Sequence, residues 1–120
     1  MAKIVIVDDD PSMRLMISQS LELLGHEVWT ADSGIRGVCL AHSVTPDVFI
    51  TDERMHGLSG TETIAQLRET GFYKPAILIT AGAREDLDGR LGRTTHFLAK
   101  PFSPPKLGAF VADVITGTLN

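Results

Sequence analysis

The sequence predicts an α/β fold: a five-stranded parallel sheet with helices packed on both of its faces. Five short apolar runs, several rich in Val and Ile, alternate along the chain with stretches whose apolar residues recur at helical spacing. Several of these runs are continuously apolar, which is typical of strands buried on both faces. The chain has 120 residues, enough for one domain around one core. We therefore interpret residues 1–120 as a single, doubly wound domain of five strand–helix units.

The five predicted strands are short runs of β-branched and other apolar residues bounded by charged or turn-forming residues. The first run stops at three consecutive acids, the third is followed by Thr51 and then Asp52, and the fifth stops at Lys100. The runs are IVIV, EVWT, DVFI, AILI and HFLA, at residues 4–7, 27–30, 47–50, 76–79 and 96–99.

Helices are predicted between the strands from apolar spacing and from residues that favour helix ends. The first helix begins after Asp10, interpreted as a helix cap or a solvated turn residue, carries an apolar stripe from Met13 to Leu24 and ends at Gly25. The last begins at Ser103, a cap followed by two prolines in the first turn. The glycine-rich stretch at residues 82–95 predicts a fourth helix that is short or loose. The second and third helices are predicted at residues 34–43 and 60–69.

Composition and charge argue against several classes of protein. A net charge of −4 and a pI near 5.4 argue against binding nucleic acid through a basic surface. No apolar stretch approaches the ~20 residues of a membrane span, and the first apolar run is too brief for a signal peptide. Cys39 is the only cysteine, so it cannot form an intramolecular disulfide, and we expect it to be a small buried core residue. The chain is expected to be cytoplasmic.

Polar residues follow the predicted strands where ligands usually bind. In doubly wound sheets, ligands lie outside the carboxyl ends of the strands, at the point where the strand order reverses. Asp32, after the second strand, is interpreted as a turn or cap residue. The other residues at these ends are Asp8, Asp9 and Asp10 after the first strand, Asp52 after the third, Thr80 after the fourth and Lys100 after the fifth.

These residue types favour phosphoryl chemistry. Carboxylates that converge on one point repel each other unless a hard cation joins them, and Mg²⁺ takes oxygen ligands from one or two carboxylates together with phosphate. A hydroxyl and a lysine can bind the oxygens of a transferring phosphoryl group. A carboxylate can itself be the nucleophile and form an aspartyl phosphate. The sequence therefore predicts a Mg²⁺-dependent phosphoryl-transfer site at this edge of the sheet.

Four segments together resemble the receiver domain of bacterial two-component response regulators. They are VDDDPSMR, PDVFITDERMHGLSG, ILITA and FLAKPF, and they occur in the family's order along essentially the whole chain. The resemblance implies a flavodoxin-like fold with strand order 2-1-3-4-5. It also implies a phosphorelay switch, a phosphoacceptor that takes part in catalysing its own phosphorylation and dephosphorylation.

The resemblance implies a role for each acid at the sheet edge. Asp52 would accept a phosphoryl group from a phosphohistidine. Asp9 would bind Mg²⁺ directly and Asp8 would hold it through water. Asp52 and the backbone carbonyl of Arg54 would be further ligands of the ion.

A second set of residues is implied to respond to the phosphoryl group. Thr80 would donate a hydrogen bond to a phosphoryl oxygen, Lys100 would pair with the phosphate, and Ala81 would leave room for the phosphohistidine of the donor. Phe97 occupies the position of the family's aromatic switch residue. The peptide bond between Lys100 and Pro101 would be cis.

The chain departs from the family pattern at several points. His56 stands where a proline is usual, and the segment at residues 80–100 is slightly shorter than in many members. Arg93 and Thr94 replace a pair of small residues, and Phe97 replaces the commoner tyrosine. These changes concern mainly the output face, formed by the fourth helix, the fifth strand and the fifth helix, and leave the chemical centre intact.

The expected partners also follow from the resemblance. A sensor histidine kinase or a histidine phosphotransfer protein would donate the phosphoryl group, and an effector domain or target protein would respond to it. Phosphorylation would change partner binding or self-association, so a phosphorylation-dependent homodimer is one expected response. Neither direct nucleic-acid contact nor membrane association is expected.

Two alternative functions stay open at the level of sequence. VDDDPS also fits the D-x-D-x-[T/V] loop of haloacid-dehalogenase-like phosphohydrolases, with Asp8 as nucleophile, Asp10 as acid/base and Ser12 at the last position. Pro11 argues against this alternative, which also leaves Asp52 without its main role. The other alternative is a pseudo-receiver that binds partners without being phosphorylated, against which the complete set of acids, threonine and lysine argues.

The three acids also predict a cost to stability. If Asp8, Asp9 and Asp52 share one small pocket, each pair a few Å apart costs on the order of 1 kcal/mol. Replacing Asp9 by alanine is therefore predicted to raise the melting temperature of the metal-free protein, and Mg²⁺ is predicted to raise that of the wild type.

Overall fold

The computed structural model describes residues 1–81 and 91–118. Within them, five parallel strands form one sheet in the order β2-β1-β3-β4-β5, so the predicted fold class and strand order are confirmed. The predicted fourth helix falls largely on residues 82–90, outside the described residues. The elements are β1 (Lys3–Val7), α1 (Pro11–Leu23), β2 (Glu27–Ala31), α2 (Gly34–Val44), β3 (Val48–Asp52), α3 (Gly60–Glu69), β4 (Ala76–Thr80), β5 (Thr95–Ala99) and α4 (Pro104–Thr116).

The sheet separates two hydrophobic layers. Strands β3 and β4 are buried along their whole length, and β1 is buried after its first residue, as their continuous apolar sequences predict. Helices α1 and α4 cover one face through Ile17, Leu21, Leu107 and Val111. Helices α2 and α3 cover the other face through side chains that include Val38, Ala41, Ile64 and Leu67.

The helix starts are fixed by side chains of the type that the sequence indicates. The Asp10 carboxylate accepts a hydrogen bond from the backbone N–H of Ser12 at 3.0 Å, so its interpretation as a cap is confirmed. Ser103 caps α4 in the same manner. Helix α2 is capped by Ser33, while the neighbouring Asp32 lies in an exposed bend.

Two predictions about apolar residues are wrong. Cys39 is exposed, because α2 places Gly34, Gly37, Val38 and Ala41 against the sheet and the next residue after Val38 lies about 100° around the helix. Leu24 is 55% exposed, since α1 ends at Leu23 and Leu24 is its C-terminal cap rather than part of the apolar stripe. Within residues 1–81 and 91–118, no helix has both the length and the apolar character needed to cross a membrane.

Candidate functional site

The point where the strand order reverses lies between β1 and β3. These strands pair in parallel with Val7 opposite Thr51, so Asp8, the residue after β1, and Asp52, the last residue of β3, lie at the same level. Both are buried, with relative exposures of 2% and 4%. The sequence pattern thus places two carboxylates side by side at the sheet position where ligands of such folds bind.

Both carboxylate oxygens of Asp52 have partners from other parts of the edge. The Lys100 Nζ atom lies 2.7 Å from Asp52 Oδ1. The backbone N–H of Arg54 donates to Asp52 Oδ2 at 3.1 Å. Lys100 is itself tied to the neighbouring strand, because its backbone N–H donates to the carbonyl of Thr80 at 2.7 Å. The structure therefore brings together the ends of β3, β4 and β5.

Asp8 is a buried carboxylate whose hydrogen bonding is incomplete. Its Oδ1 atom accepts a hydrogen bond from the backbone N–H of Asp10 at 2.9 Å, whereas its buried Oδ2 atom has no hydrogen-bond partner. Burial raises the pKa of Asp8 to about 6, and the nearby Asp52 charge adds to the rise, while the Asp10 hydrogen bond and Lys100 oppose it. An unpartnered anionic oxygen at this position fits a cation or its bound water.

Asp9 points to a different partner. Its Oδ2 atom accepts a hydrogen bond from the backbone N–H of His56 at 2.9 Å and lies 3.0 Å from the His56 Nδ1 atom. The backbone hydrogen bond from His56 is the main reason that the pKa of Asp9 is lowered, and the imidazole adds to the effect. The prediction that Asp9 crowds Asp8 and Asp52 in one pocket is therefore wrong for this arrangement. Within residues 1–81 and 91–118, no group of three or more His, Cys, Asp or Glu side chains is arranged to hold a metal ion.

The loop between β3 and α3 is fixed at both ends. The Glu53 carboxylate accepts hydrogen bonds from the backbone N–H of Thr61 at 2.7 Å and from its hydroxyl at 2.8 Å. The backbone N–H of Gly60 donates to the Glu53 carbonyl. A Cβ atom on Gly60 would overlap the backbone carbonyl of Asp52, so this position requires glycine for close approach. The loop therefore holds the backbone next to Asp52 in place.

Thr80 and Phe97 lie on the neighbouring strands. Thr80 ends β4 and is 4% exposed, and the Ala81 that follows is exposed. Phe97, in β5, is half-buried and packs against the core layer under α2 and α3. The peptide bond between Lys100 and Pro101 is cis, as the resemblance implies.

Sequence reasoning missed several contacts of the site. Arg14 Nη1 donates to the backbone carbonyl of Asp8 at 2.7 Å, and Glu53 anchors the start of α3. Arg14 lies six residues after Asp8, within the first turn of a predicted helix, and this was the available signal. The contact between His56 and Asp9 joins residues that are distant in sequence, and no local pattern points to it.

The model of the response regulator receiver domain family matches residues 4–112, which is most of the chain. This chain belongs to the response regulator receiver family. The receiver domain is 33% identical over 121 residues to the protein PilH of Pseudomonas aeruginosa, and the match covers 98% of this chain and all of PilH. It is 32% identical over 116 residues to PhoP, the alkaline phosphatase synthesis transcriptional regulatory protein of Bacillus subtilis. That match covers 94% of this chain and 48% of PhoP, so the receiver domain spans about half of this relative.

Solved structures give the same family. The chemotaxis response regulator CheY4 of Vibrio cholerae has a TM-score of 0.85 and 31% identity, with 95% of this chain and 98% of that chain covered. The response regulator TrrA of Thermotoga maritima, solved in complex with Mg²⁺ and BeF, has a TM-score of 0.83 and 29% identity. That match covers 95% of the receiver domain and 99% of TrrA.

Membership of the receiver family contradicts the phosphohydrolase alternative. The structure supplies a local reason as well. Asp10, which would have to act as acid/base in that alternative, is exposed and caps α1 through Ser12. Asp8, the first acid of the DDD segment, is buried beside Asp52, and Asp10, the third acid, is the N-terminal cap of α1.

Proposed function

We propose that this receiver domain accepts a phosphoryl group on Asp52 from a phosphohistidine of a sensor kinase or phosphotransfer protein in a Mg²⁺-dependent reaction. Family membership supports the coarser statement that the domain is a phosphorelay switch. The observation that carries the finer one is the environment of Asp52: a buried carboxylate 2.7 Å from Lys100 Nζ, beside a buried Asp8 oxygen without a hydrogen-bond partner.

In the proposed reaction, oxygen atoms at the sheet edge bind a magnesium ion. We assign Asp9 and Asp52 as direct ligands, the Arg54 backbone carbonyl as a third, and Asp8 as the acid that binds the ion through water. The unpartnered Asp8 Oδ2 would accept a hydrogen bond from a water molecule bound to the ion. Bound there, Mg²⁺ would neutralise charge that develops on the phosphoryl oxygens. The Thermotoga maritima relative, solved with Mg²⁺ and BeF, supports this choice of ion.

The protein's own groups supply nucleophile and positioning. An Asp52 carboxylate oxygen forms a bond to phosphorus as the bond from phosphorus to the donor's imidazole nitrogen breaks, and that nitrogen leaves with the bonding electron pair. The Lys100 ammonium, already 2.7 Å from Asp52, pairs with a phosphoryl oxygen. The Thr80 hydroxyl donates to another phosphoryl oxygen, and the exposed Ala81 leaves the approach open to the donor.

Phosphorylation then changes the output face. The phosphoryl group adds negative charge and strong acceptor oxygens, so Thr80 moves toward it and vacates space that Phe97 enters. The face formed by the predicted fourth helix, β5 and α4 changes its binding to an effector domain or target protein, or to a second copy of the chain. We place this activity in the cytoplasm and in one domain covering residues 1–120.

Intact-mass measurement after incubation with acetyl phosphate and Mg²⁺ tests the proposal. The wild type should gain one phosphoryl group, which hydroxylamine removes and which does not form when Mg²⁺ is chelated. Asp52→Asn should gain none, and Asp8→Asn should retain a part of the labelling. A wild type that is never labelled, by acetyl phosphate or by phosphohistidine donors, would instead support the pseudo-receiver alternative.

A further inference from the structure

His56 contacts the carboxylate of Asp9 through two nitrogen atoms. Its backbone N–H donates to Asp9 Oδ2 at 2.9 Å, and its imidazole Nδ1 lies 3.0 Å from the same oxygen. The imidazole is fully exposed at its outer surface, and the Asp9 side chain is 26% exposed. A proline at this position could form neither contact, since it has no N–H and no imidazole.

These contacts occupy one of the two oxygens through which the Asp9 carboxylate would bind a metal ion. A cation and a hydrogen-bond donor bind the same lone pairs of a carboxylate, so donors that stabilise the metal-free carboxylate make it a weaker ligand. Asp8 and Asp52, by contrast, lie together at the ends of β1 and β3, and in the described part of the chain they form no three-ligand group with Asp9.

We propose that the His56 side chain is a positioning residue that holds Asp9 in a metal-free arrangement and thereby lowers the affinity of the domain for Mg²⁺. This inference rests on the proposed function, in which Asp9 is a metal ligand. Binding of the ion through Asp9 Oδ2 would require the imidazole to release that oxygen or to share it. His56, which is distant in sequence from the DDD segment, therefore stabilises the metal-free state of the domain.

Calorimetric Mg²⁺ titration of the full chain at one mildly alkaline pH tests the inference. His56→Ala removes the imidazole and keeps the backbone N–H, and it should bind Mg²⁺ about two- to fivefold more tightly, the range expected for loss of one exposed hydrogen bond to a charged group. His56→Asn carries a side-chain N–H where Nδ1 lies, and it should bind as the wild type does. His42→Ala is the matched control, because His42 is an exposed histidine that contacts Thr70, far from Asp9 in sequence.

Thermal melts give a second readout that does not depend on activity. Without metal, His56→Ala should melt slightly below the wild type, because Asp9 loses a partner. Its increase in melting temperature on adding Mg²⁺ should be larger than that of the wild type. A general loosening of the loop would lower the metal-free melting temperature but would not enlarge its increase on adding Mg²⁺.

The outcomes separate this inference from the proposed function. Unchanged or weaker Mg²⁺ binding by His56→Ala would overturn the inference, and so would His56→Asn binding as tightly as His56→Ala, since the effect would then not come from the hydrogen bond. If Asp9→Ala binds Mg²⁺ as well as the wild type, the metal assignment and the inference both fail. If only the His56 variants disagree while Asp9→Ala loses the ion and Asp52 is labelled, the inference fails alone.

Discussion

Lys100 reaches across β4 to form an ion pair with Asp52. The Lys100 Nζ and Asp52 Oδ1 atoms are 2.7 Å apart, although β3 and β5 are not neighbours in the sheet. The Asp52 side chain is 6% exposed and that of Lys100 is 35% exposed. The Lys100 ammonium therefore compensates the negative charge of the largely desolvated Asp52 carboxylate. The ion pair connects Asp52, the proposed phosphoacceptor, to the end of β5.

Lys100→Ala should destabilise the metal-free protein. The change leaves the Asp52 carboxylate buried without its counter-ion, at a cost of about 1–2 kcal/mol, less than for a fully buried pair because Lys100 is partly solvated. Urea unfolding measures this loss. The exposed Lys106 provides a matched control, and Lys106→Ala should change the unfolding free energy little.

A double-mutant cycle isolates the ion pair from other effects of the substitution. In an Asp52→Asn background, where no charge needs compensation, Lys100→Ala should cost much less than in the wild type. Equal costs in the two backgrounds would show that Lys100 stabilises the fold through its aliphatic stem and not through Asp52.

Asp8 should make the metal-free protein less stable as the pH rises. Its pKa is about 6 in the folded protein and 3.8 as an ordinary carboxyl. Below both pKa values, Asp8 is protonated in the folded and the unfolded state and does not lower the stability. Between the two values, the folded protein retains a proton that the unfolded chain has lost, so the free energy of unfolding falls as the pH rises. Above the folded value the penalty is complete, on the order of 2–3 kcal/mol.

Asp8→Asn removes this pH-dependent penalty. At neutral pH and without metal, the variant should melt roughly 3–8 °C above the wild type, with the buried amide offsetting a part of the gain. The two proteins should converge toward pH 4. The exposed Asp113 gives the control substitution, Asp113→Asn. A wild type and an Asp8→Asn variant with parallel stability profiles would show that Asp8 is not the source of the penalty.

The pKa of Asp9 is shifted in the opposite direction to that of Asp8, so the effect of removing Asp9 on the metal-free stability should also be opposite. A lowered pKa means that the folded state stabilises the Asp9 carboxylate, a contribution present above the ordinary pKa and lost as the pH falls through the folded value. Asp9→Ala should therefore lower the metal-free melting temperature slightly, whereas the three-acid segment alone predicts a rise. The expected Mg²⁺-induced increase in melting temperature should still be lost in this variant.

Thr80→Ala should separate phosphorylation from switching. The variant should still be labelled by acetyl phosphate, since its Asp52 and Lys100 are unchanged. The backbone amide signals of residues 91–99 should shift when the wild type is phosphorylated. They should shift far less in Thr80→Ala, because this variant lacks the hydroxyl that moves toward the phosphoryl group. Thr63→Ala, which removes another buried threonine hydroxyl, should respond like the wild type. Amide shifts of equal size in wild type and Thr80→Ala would contradict the role of Thr80.

Gly60→Ala should disturb the site by displacing backbone. The new methyl group would meet the carbonyl oxygen of Asp52, which cannot move without moving β3, so we expect a loss of about 1–3 kcal/mol and slower labelling of Asp52. Gly108→Ala is the control, because its methyl group would meet only the end of the Leu24 side chain. Equal effects of the two substitutions in labelling rate would argue against a specific role for Gly60.

The sheet and the residues at its edge could be predicted from sequence because their signals are local. Strands buried on both faces are mostly apolar, so β1, β3 and β4 stand out. Polar residues at or just after the last residue of each strand, Asp8, Asp52 and Thr80, mark the carboxyl ends. Parallel strands then bring Asp8, Asp52 and Lys100 to one edge whatever the helices do. Caps such as Asp10 are equally local, since they bond to a backbone group two residues away.

The remaining features depend on tertiary contacts that leave no periodic signal. The direction of the Asp9 side chain is set by His56, 47 residues later in the chain, and adjacent acids in the sequence therefore have different partners. Cys39 has apolar neighbours on both sides in sequence, and only the rotation of α2 against the sheet decides that it faces outward. The burial of Arg68 also depends on tertiary contacts. Its guanidinium donates to the backbone carbonyls of Leu91, Phe72 and Lys74, near the end of α3.

Mapping the phosphorylated residue tests most directly whether Asp52 is the phosphoacceptor. After incubation with acetyl phosphate and Mg²⁺, borohydride reduces an aspartyl phosphate to homoserine, which peptide mass spectrometry locates in the chain. We expect homoserine at position 52 alone, with none in protein treated without the phosphodonor. Homoserine at position 8, or at neither position while the intact protein carries a phosphoryl group, would contradict the assignment of Asp52 as the phosphoacceptor.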